Sequence, residues 1–402
     1  MKIWDFNRKW CKKIILASVA LTSFVFVFHW IRGIFSNDIY VSYLKIPRPS
    51  GIIKLHIPDD MKSGVAYIEY LKKRYDKMKD YMSTAASSNI SCDSLKDDAQ
   101  TPCIDNTCNV FFSTPEENWK KMENYPSLKY DEYLAKMKDL VSAVASGSEK
   151  KIVMVTAATS EYFYRSQGLL QELHEKVLRY YNNVFLIYYD LGLHPCERRL
   201  IEKYCRCEVK DFPFEIFPAH VKHTKNYAWR PLLIQLELLQ HEVVAWFDTS
   251  VRFKPQIVAN IFRKGVSFGI MPLYGEFSVA QQSDVKIFQW FGEEPCSFSN
   301  YFEIQTGHIM FYKSSLVESI IKYWVTCALN KECISPENSV YDCDSSTRKY
   351  GKCHRFDQSA LSIILTRLFQ ESRAVLHLTK FVLHKRQPVH YFPEEPSLFC
   401  LQ

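Results

Sequence analysis

The pattern of apolar and polar positions changes near residue 150. Beyond it, short apolar runs alternate with stretches whose apolar residues recur three and four positions apart, as on the buried face of a helix. The runs predict strands at 152–157, 184–190, 243–247, 266–271 and 308–312. The periodic stretches predict helices around 163–181, 195–204, 228–240, 314–329 and 357–370. This alternation favours an α/β fold with a largely parallel sheet flanked by helices over residues 151–402.

Residues 36–150 are more polar and lack this alternation. Charged helical patterns at 62–82 and 114–146 enclose a polar stretch with three cysteines. We predict a partly helical stem tied to the following domain by disulfides. Asn89 begins an Asn-Ile-Ser glycosylation sequon in the polar stretch, which is typical of a lumenal surface loop.

Residues 14–31 are apolar and carry no formal charge. About 20 such residues span a bilayer, and the apolar character extends to residue 35. Five basic residues and one acidic residue precede them within 1–13, which predicts a cytosolic tail. We therefore predict a signal anchor at 14–35 and a single-pass type II protein in the Golgi or ER. A cleaved signal peptide is the main alternative, although the HWIRGIF end offers no small-residue cleavage site, and a buried helix is the other.

Composition and charge narrow the function classes. The 402 residues are 47% hydrophobic and 24% charged, which excludes wholesale disorder and collagen. The net charge is 51 − 44 = +7, and residues 1–13 contribute 5 − 1 = +4 of it. The rest of the chain therefore has no large basic excess, and we predict no nucleic-acid partner. An aromatic content of 15% suits a large core or a site that stacks flat ligands.

Twelve of the thirteen cysteines lie beyond the predicted anchor, an even number that an oxidising lumen favours. Zinc ligation is the alternative, but the chain has no Cys-x-x-Cys pair, and Cys205 and Cys207 are too close for a usual zinc knuckle. We expect most of these cysteines to form disulfides. Four of them flank a polar insert within a short span, namely Cys327, Cys333, Cys343 and Cys353.

Ligands in parallel sheets bind outside the carboxyl ends of the strands, which makes Asp248 a candidate metal ligand. It follows strand 243–247 directly, and the hydroxyls of Thr249 and Ser250 come next. These hard oxygen ligands suit Mg²⁺ or Mn²⁺, which would bridge a diphosphate and neutralise a leaving group. The alternative is that Asp248 caps its loop and pairs with Arg252.

Other candidates lie near predicted strand and helix ends. Lys225 and Arg230 flank the start of helix 228–240, where a helix N-terminus and a guanidinium attract phosphate, unless Arg230 is simply a surface residue beside Pro231. The end of the first predicted strand would hold a nucleotide base through Thr156, Ala157 and Ala158.

Two further groups precede a strand and a helix. Gln305, Thr306 and Gly307 come directly before strand 308–312, where a glycine allows the backbone to approach a polyol or to form a tight turn. Asp357 and Gln358 begin the last helix, so they either hold sugar hydroxyls or, for Asp357, cap the helix. Walker A, GxGxxG, GxSxG and HExxH motifs are absent, which argues against common NTPases, nicotinamide enzymes, serine hydrolases and zincins.

These motifs occur in an order that resembles known proteins. YAWRPLLI, WFDTSVRF, IQTGHIMFY and HRFDQSALSIIL resemble a nematode-expanded family of type II membrane proteins catalogued as domain of unknown function 1647, over about residues 90–385. The order also looks like the GT-A fold of nucleotide-sugar glycosyltransferases. The resemblance implies that Asp248 is a metal ligand, with the neutral Ser250 at the second acidic position of the motif. Gly307 matches the sugar-contacting turn, and the Asp357–Gln358 pair matches one near the donor sugar.

The resemblance implies a glycosyltransferase that transfers a sugar from a nucleotide diphosphate to a hydroxyl of a glycan or glycoprotein. A divalent Mn²⁺ or Mg²⁺, Arg230 or Lys225 would stabilise the departing diphosphate. A third metal ligand would come from His377, His384 or His390, among which the sequence does not choose. A non-catalytic lectin-like or adaptor protein that keeps the fold is the alternative, and Ser250 favours it.

Overall fold

A computed structural model describes residues 64–78, 103–104, 107–108, 113–123, 127–144, 152–253, 268–344, 351–376 and 382–393. The predicted cytosolic tail, signal anchor and Asn89 sequon lie outside these ranges. Within them, no helix is long and apolar enough to cross a membrane.

The described elements include ten strands and ten α-helices, besides short 3₁₀ and π helices. The strands are β1 (Cys103–Ile104), β2 (Thr107–Cys108), β3 (Ile152–Ala158), β4 (Val184–Asp190), β5 (Glu208–Asp211), β6 (Val243–Phe247), β7 (Val251–Phe253), β8 (Ile270–Ser278), β9 (Phe302–Tyr312) and β10 (Val382–His384). The helices are α1 (Gly64–Met78), α2 (Pro115–Glu123), α3 (Leu128–Val144), α4 (Phe163–Leu173), α5 (Pro195–Tyr204), α6 (Trp229–Gln240), α7 (Val285–Phe291), α8 (Ser315–Ala328), α9 (Lys331–Ile334) and α10 (Asp357–Phe369).

Six strands form the central sheet, in the order β5-β4-β3-β6-β9-β8. The strands β5, β4, β3 and β6 are parallel, whereas β9 is antiparallel to both of its neighbours. The sequence-based prediction of an α/β fold with a mostly parallel sheet is therefore confirmed. The chain runs outward from β3 through β4 to β5 and returns to β6 on the other side of β3. This reversal creates a crevice at the carboxyl ends of β3 and β6, where ligands bind in open α/β sheets.

The central strands are buried on both faces, as their apolar sequences require. All seven residues of β3 are buried, and so are all five of β6. Alternate side chains of β3 enter opposite cores, with Val153 and Val155 on one face and Ile152 and Met154 on the other. Helices thus cover both faces, which is the environment that favours parallel strands.

The described helices of the predicted stem pack into one of these cores. Tyr67 of α1 contacts Phe369 at a ring-centroid distance of 5.7 Å. The Asn118 side chain in α2 donates a 3.1 Å hydrogen bond to the backbone oxygen of Arg367. Tyr130 of α3 shares the same apolar cluster. The boundary at residue 150 stays a prediction, but the helices before it are part of the packing around the sheet.

The predicted helix over 114–146 is instead two helices, α2 and α3. Pro126 lies between them in the sequence, and proline lacks the N–H that a continuing helix needs.

Every cysteine whose side chain is described is disulfide-bonded, which confirms the predicted disulfides for this part of the chain. There are eight such cysteines, and two of them are Cys196 and Cys296. The other six form the pairs Cys205–Cys207, Cys327–Cys333 and Cys343–Cys353.

Candidate functional site

Asp248 lies where the sequence predicts it, directly after β6 and beside the crevice. Its backbone N–H donates a 2.8 Å hydrogen bond to the Gly307 oxygen of β9, which fixes the turn that follows the strand. Its side chain is 33% exposed and therefore reaches solvent. The alternative partner Arg252 is wrong, because the Arg252 guanidinium donates to the backbone oxygens of Thr249 and Val251 instead.

The Asp248 carboxylate pairs with Arg230, which lies in the first turn of α6 and is 3% exposed. Arg230 Nη2 is 2.9 Å from Asp248 Oδ1, and Nη1 is 2.5 Å from Asp357 Oδ2. Nη1 also donates a 3.0 Å hydrogen bond to Thr306 Oγ1. The alternative of a surface arginine is therefore wrong. One buried cation joins the end of β6, the middle of β9 and the start of α10.

Asp357 is 2% exposed, and its carboxylate faces Arg230. It is the first residue of α10 rather than the residue that precedes the helix, so the capping alternative is wrong. Burial raises the pKa of Asp357 above its ordinary value, while the Arg230 charge and the Thr306 hydroxyl oppose that rise. Burial acts to lower the pKa of Arg230, but Asp248 and Asp357 raise it overall. Arg230, Asp248 and Asp357 together carry a charge of 1 − 2 = −1, which favours a cation nearby.

The sequence-based prediction that Gln305, Thr306 and Gly307 precede a strand is wrong, because they lie inside β9. The register between β8 and β9 shifts at this point: Pro272 pairs with Ile309, but the next residue, Leu273, pairs with Gln305. Residues 306–308 therefore form a bulge that re-aims the strand, as bulges beside active sites do. The bulge brings Thr306 to Arg230 and Gly307 to Asp248.

Gly307 leaves space that a side chain would fill. A Cβ atom there would lie 3.0 Å from His384 Cε1 and 3.2 Å from Asp248 Oδ2. Oδ2 is the Asp248 oxygen that Arg230 does not bind. The absence of a side chain at Gly307 thus keeps open a small space bordered by a carboxylate oxygen and an imidazole.

The structure describes two of the three candidate histidines, and only His384 lies near Asp248. The antiparallel pair β7–β10 sets His384 opposite Val251, and His384 Nδ1 lies 2.9 Å from Ser250 Oγ. His390 instead contacts Tyr164 at 4.5 Å between ring centroids, and residue 377 lies outside the described ranges. Burial lowers the pKa of His384, although the Asp248 charge opposes this.

The donors around Gly307 fit a divalent cation. They are the Asp248 carboxylate, the Ser250 hydroxyl and the His384 imidazole, and oxygen and imidazole ligands both occur at Mn²⁺ and related ions. Where side chains are described, no group of three or more His, Cys, Asp or Glu residues converges. Diphosphate oxygens and water would have to complete the coordination.

The predicted nucleotide-binding residues lie beside this group but below the surface. Thr156, Ala157 and Ala158 are all buried at the end of β3. The exposed residue beyond them is Glu161, and Lys225 Nζ lies 3.4 Å from its carboxylate. Lys225 therefore borders the crevice on the β3 side. A base-binding role for this strand end stays a prediction.

Sequence reasoning missed Glu303, which is 3% exposed in β9. The Gln358 amide donates to its carboxylate, and Gln282 Nε2 lies 3.4 Å from its other oxygen. A Cβ on Gly275 would lie 2.4 Å from Glu303 Oε1, so the glycine makes room for the buried acid. Gln358 is thus held from within the fold, and its predicted contact with a donor sugar stays a prediction. The alternation in FEIQ was the one sequence signal that Glu303 belongs to a strand.

No curated protein matches this chain. Similar solved structures include the mannosyltransferase Ktr4p from S. cerevisiae with GDP, at 10% identity and a TM-score of 0.35, covering 68% of this chain and 87% of that one. Mouse xyloside xylosyltransferase 1 is 10% identical with a TM-score of 0.34, covering 58% and 85%. The bifunctional glycosyltransferase WbbM is 12% identical with a TM-score of 0.36, and the match spans 56% of this chain but only 38% of that one.

One family model matches the sequence, over residues 117–235, and its description is protein of unknown function (DUF1647). The matched segment includes Arg230 and ends before Asp248. The match confirms, over those residues, the resemblance to the domain of unknown function 1647 family.

Proposed function

We propose that this protein is a glycosyltransferase, which moves a sugar from a nucleotide-diphosphate donor to a hydroxyl of a glycan or glycoprotein acceptor. The observation that carries the proposal is the approach of Asp248 and His384 to Gly307, with Ser250 Oγ 2.9 Å from His384 Nδ1. They lie at the carboxyl end of β6, beside the point where the strand order of the sheet reverses. A diphosphate at that crevice would meet a net negative group able to hold a divalent cation.

In this proposal, some residues bind the divalent cation and others hold the Asp248 side chain in place. Asp248, Ser250 and His384 would hold Mn²⁺ or Mg²⁺, which when bound supplies charge neutralisation to the departing diphosphate. Arg230 fixes the Asp248 side chain through its Oδ1 atom and leaves Oδ2 toward Gly307. Because Arg230 is buried between two carboxylates, we assign it to positioning Asp248 rather than to direct contact with phosphate. Asp357 in turn holds the other end of Arg230.

The reaction needs two bond changes at one carbon. The bond from the anomeric carbon to the diphosphate oxygen breaks, and a bond from that carbon to the acceptor oxygen forms while the acceptor hydroxyl loses its proton. The paired cysteines of the described residues agree with an oxidising compartment. We also propose a Golgi or ER location and a single-pass type II topology, which rest on the apolar segment 14–35 of the sequence.

A non-catalytic binding protein is the second candidate, and one observation favours it. Asp248 is the one acidic residue in the proposed ligand set, and its ion pair with Arg230 already neutralises part of its charge. Such a protein would bind a nucleotide sugar or a glycan without turning it over.

Calorimetric titration of the purified full-length chain with UDP, GDP, CDP and ADP, with and without Mn²⁺, tests the proposal. We expect one nucleotide to bind in a Mn²⁺-dependent way and Asp248→Asn to lose that dependence, since the substitution removes the metal-binding charge but keeps the shape. Asp211→Asn is the matched control, because Asp211 also ends a parallel strand and pairs with an arginine, but at the sheet edge.

Failure of the folded wild type to bind any nucleotide would contradict the proposal. Binding with no sugar transfer to any acceptor, and no donor hydrolysis, would instead support the non-catalytic candidate.

A further inference from the structure

Three aromatic side chains form a row that leads from Arg230 to the surface. The Tyr227 ring lies 4.7 Å from the Arg230 guanidinium carbon, and the Phe356 ring lies 5.9 Å from Tyr227. Tyr341 stacks on Phe356, with 4.5 Å between centroids and 20° between planes. Tyr341 is 41% exposed, whereas the other two are half-buried. We call Tyr227, Phe356 and Tyr341 the aromatic row.

The inner end of the aromatic row belongs to the candidate site. Burial raises the pKa of the Tyr227 phenol, and the charges of Arg230, Asp248, Asp357 and Arg355 all act on it. Phe356 directly precedes Asp357 in the sequence. A molecule lying along the row would therefore have one end at the reacting groups.

The aromatic row is held rigidly. Tyr227 and Phe356 have φ values of 55° and 51°. Residues other than glycine rarely adopt this backbone conformation, and it persists only where the surrounding structure imposes it. The Cys343–Cys353 disulfide and a 2.8 Å hydrogen bond from His354 N–H to the Val340 oxygen hold the loop that carries Tyr341. The Tyr341 hydroxyl also donates a 3.0 Å hydrogen bond to the Pro336 oxygen. Apolar packing alone gives no reason to fix an exposed ring this firmly.

We propose that the aromatic row is the acceptor subsite and that it binds a glycan by stacking on sugar rings. This inference rests on the proposed transferase function and extends it to the chemical class of the acceptor. A pyranose presents an apolar C–H face and a rim of hydroxyls. The exposed Tyr341 ring matches the face, and the partly exposed Asp248 carboxylate beyond Tyr227 matches the hydroxyls.

Saturation-transfer NMR on the full-length chain in detergent tests the subsite, since it detects weak ligands. The probes are mannobiose, lactose, chitobiose and xylobiose at millimolar concentration, each with Mn²⁺ and the nucleotide that binds in calorimetry. We expect at least one disaccharide to bind, and Tyr341→Ala to weaken it about 2- to 12-fold, the range for the loss of one aromatic stacking contact. Tyr341→Phe should retain most of the affinity because it keeps the ring.

Tyr180→Ala is the matched control, because Tyr180 is 43% exposed and is no part of the row. Circular dichroism and thermal melting confirm that each variant is folded. The proposal is overturned if the nucleotide binds but no disaccharide does, or if Tyr341→Ala and Tyr180→Ala have equal effects. It is also overturned if Tyr341→Ala weakens the nucleotide instead of the disaccharide, because the row would then belong to the donor. If neither nucleotide nor disaccharide binds, the proposed function fails together with the subsite.

Discussion

The two sides of the Arg230 guanidinium lie in opposite environments. On the inner side, Asp357 is 2% exposed and is bound by Arg230 and by the Thr306 hydroxyl. On the outer side, Asp248 is 33% exposed, and one of its oxygens faces the space beside Gly307. Both partners are aspartates at the end or start of a regular element. Their surroundings, not their residue type, make the inner one part of the packed interior and leave the outer one accessible for the ligand binding that we propose.

This difference explains how a site with few charges can stay ordered. A half-exposed carboxylate pays side-chain entropy to hold one orientation, and surface ion pairs alone rarely offset that cost. Here the cation is fixed first, by the buried Asp357 and by three surrounding rings at 4.7 to 5.3 Å. Asp248 then pairs with a cation that is already in place. The buried Asp357–Arg230 pair therefore fixes the orientation of the Asp248 side chain.

Arg230→Met should have the largest effect on stability. It leaves Asp357 buried without a charged partner, so we expect the free energy of unfolding in urea to fall by about 3–5 kcal/mol. Arg198→Met is the control, because Arg198 also bridges two aspartates, Asp190 and Asp211, but is 27% exposed. Its loss should cost about 1 kcal/mol or less. Equal losses in the two variants would show that burial of the inner pair does not matter.

Asp357→Asn should have an intermediate effect. The asparagine keeps an acceptor for Arg230 but removes the charge that compensates the buried guanidinium, and we expect a loss of about 1–3 kcal/mol in urea denaturation. Nucleotide binding should weaken as well, because Arg230 then holds Asp248 less firmly. Unchanged stability of this variant would show that the Asp357 charge does not stabilise the buried Arg230 guanidinium.

Asp248→Asn should have the smallest effect on stability and the largest selective effect on ligand binding. Its partly exposed pair with Arg230 should contribute under about 1 kcal/mol to unfolding. Metal-dependent nucleotide binding should nevertheless be lost. Urea denaturation and calorimetry on the same preparation separate the two readouts. If Asp248→Asn proved as destabilising as Asp357→Asn, the assignment of a structural role to Asp357 and a ligand-binding role to Asp248 would be wrong.

The sequence predicted the central strands β3, β4 and β6 well and the other strands less well. The strand predicted at 266–271 is observed as Ile270–Ser278, and the short buried strand β7 was not predicted. The runs that became β4 and β6 have the predicted bounds, because an apolar run between polar residues is a strong local signal. The strands β5 and β10 were not predicted, since EVKD and VLH are short and lie where the chain is partly exposed. A sheet edge requires fewer apolar residues, so its sequence is less distinctive.

In the candidate site, residues with local motifs were predicted, whereas contacts between distant segments were not. Asp248, Arg230 and Asp357 were each candidates from their local motifs, and the structure brings all three together. The choice of His384 was not predictable, because the pairing of β7 with β10 joins distant segments without a local signal. Thr306 and Gly307 were identified, but the bulge that turns them toward Arg230 depends on a register shift against β8.

The packing of α1, α2 and α3 against the rest of the chain has a consequence for how the protein is made. The hydrogen bond from Asn118 in α2 to Arg367 joins residues 249 positions apart. At a synthesis rate of about 5–20 residues per second, the apolar faces of these helices wait about 12–50 s for their partners. During that time Leu71 of α1 and Trp119 of α2, both buried in the finished fold, lack the α10 residues against which their helices pack. We therefore expect folding of this protein in cells to depend on chaperones that cover the N-terminal helices until α10 has been synthesised.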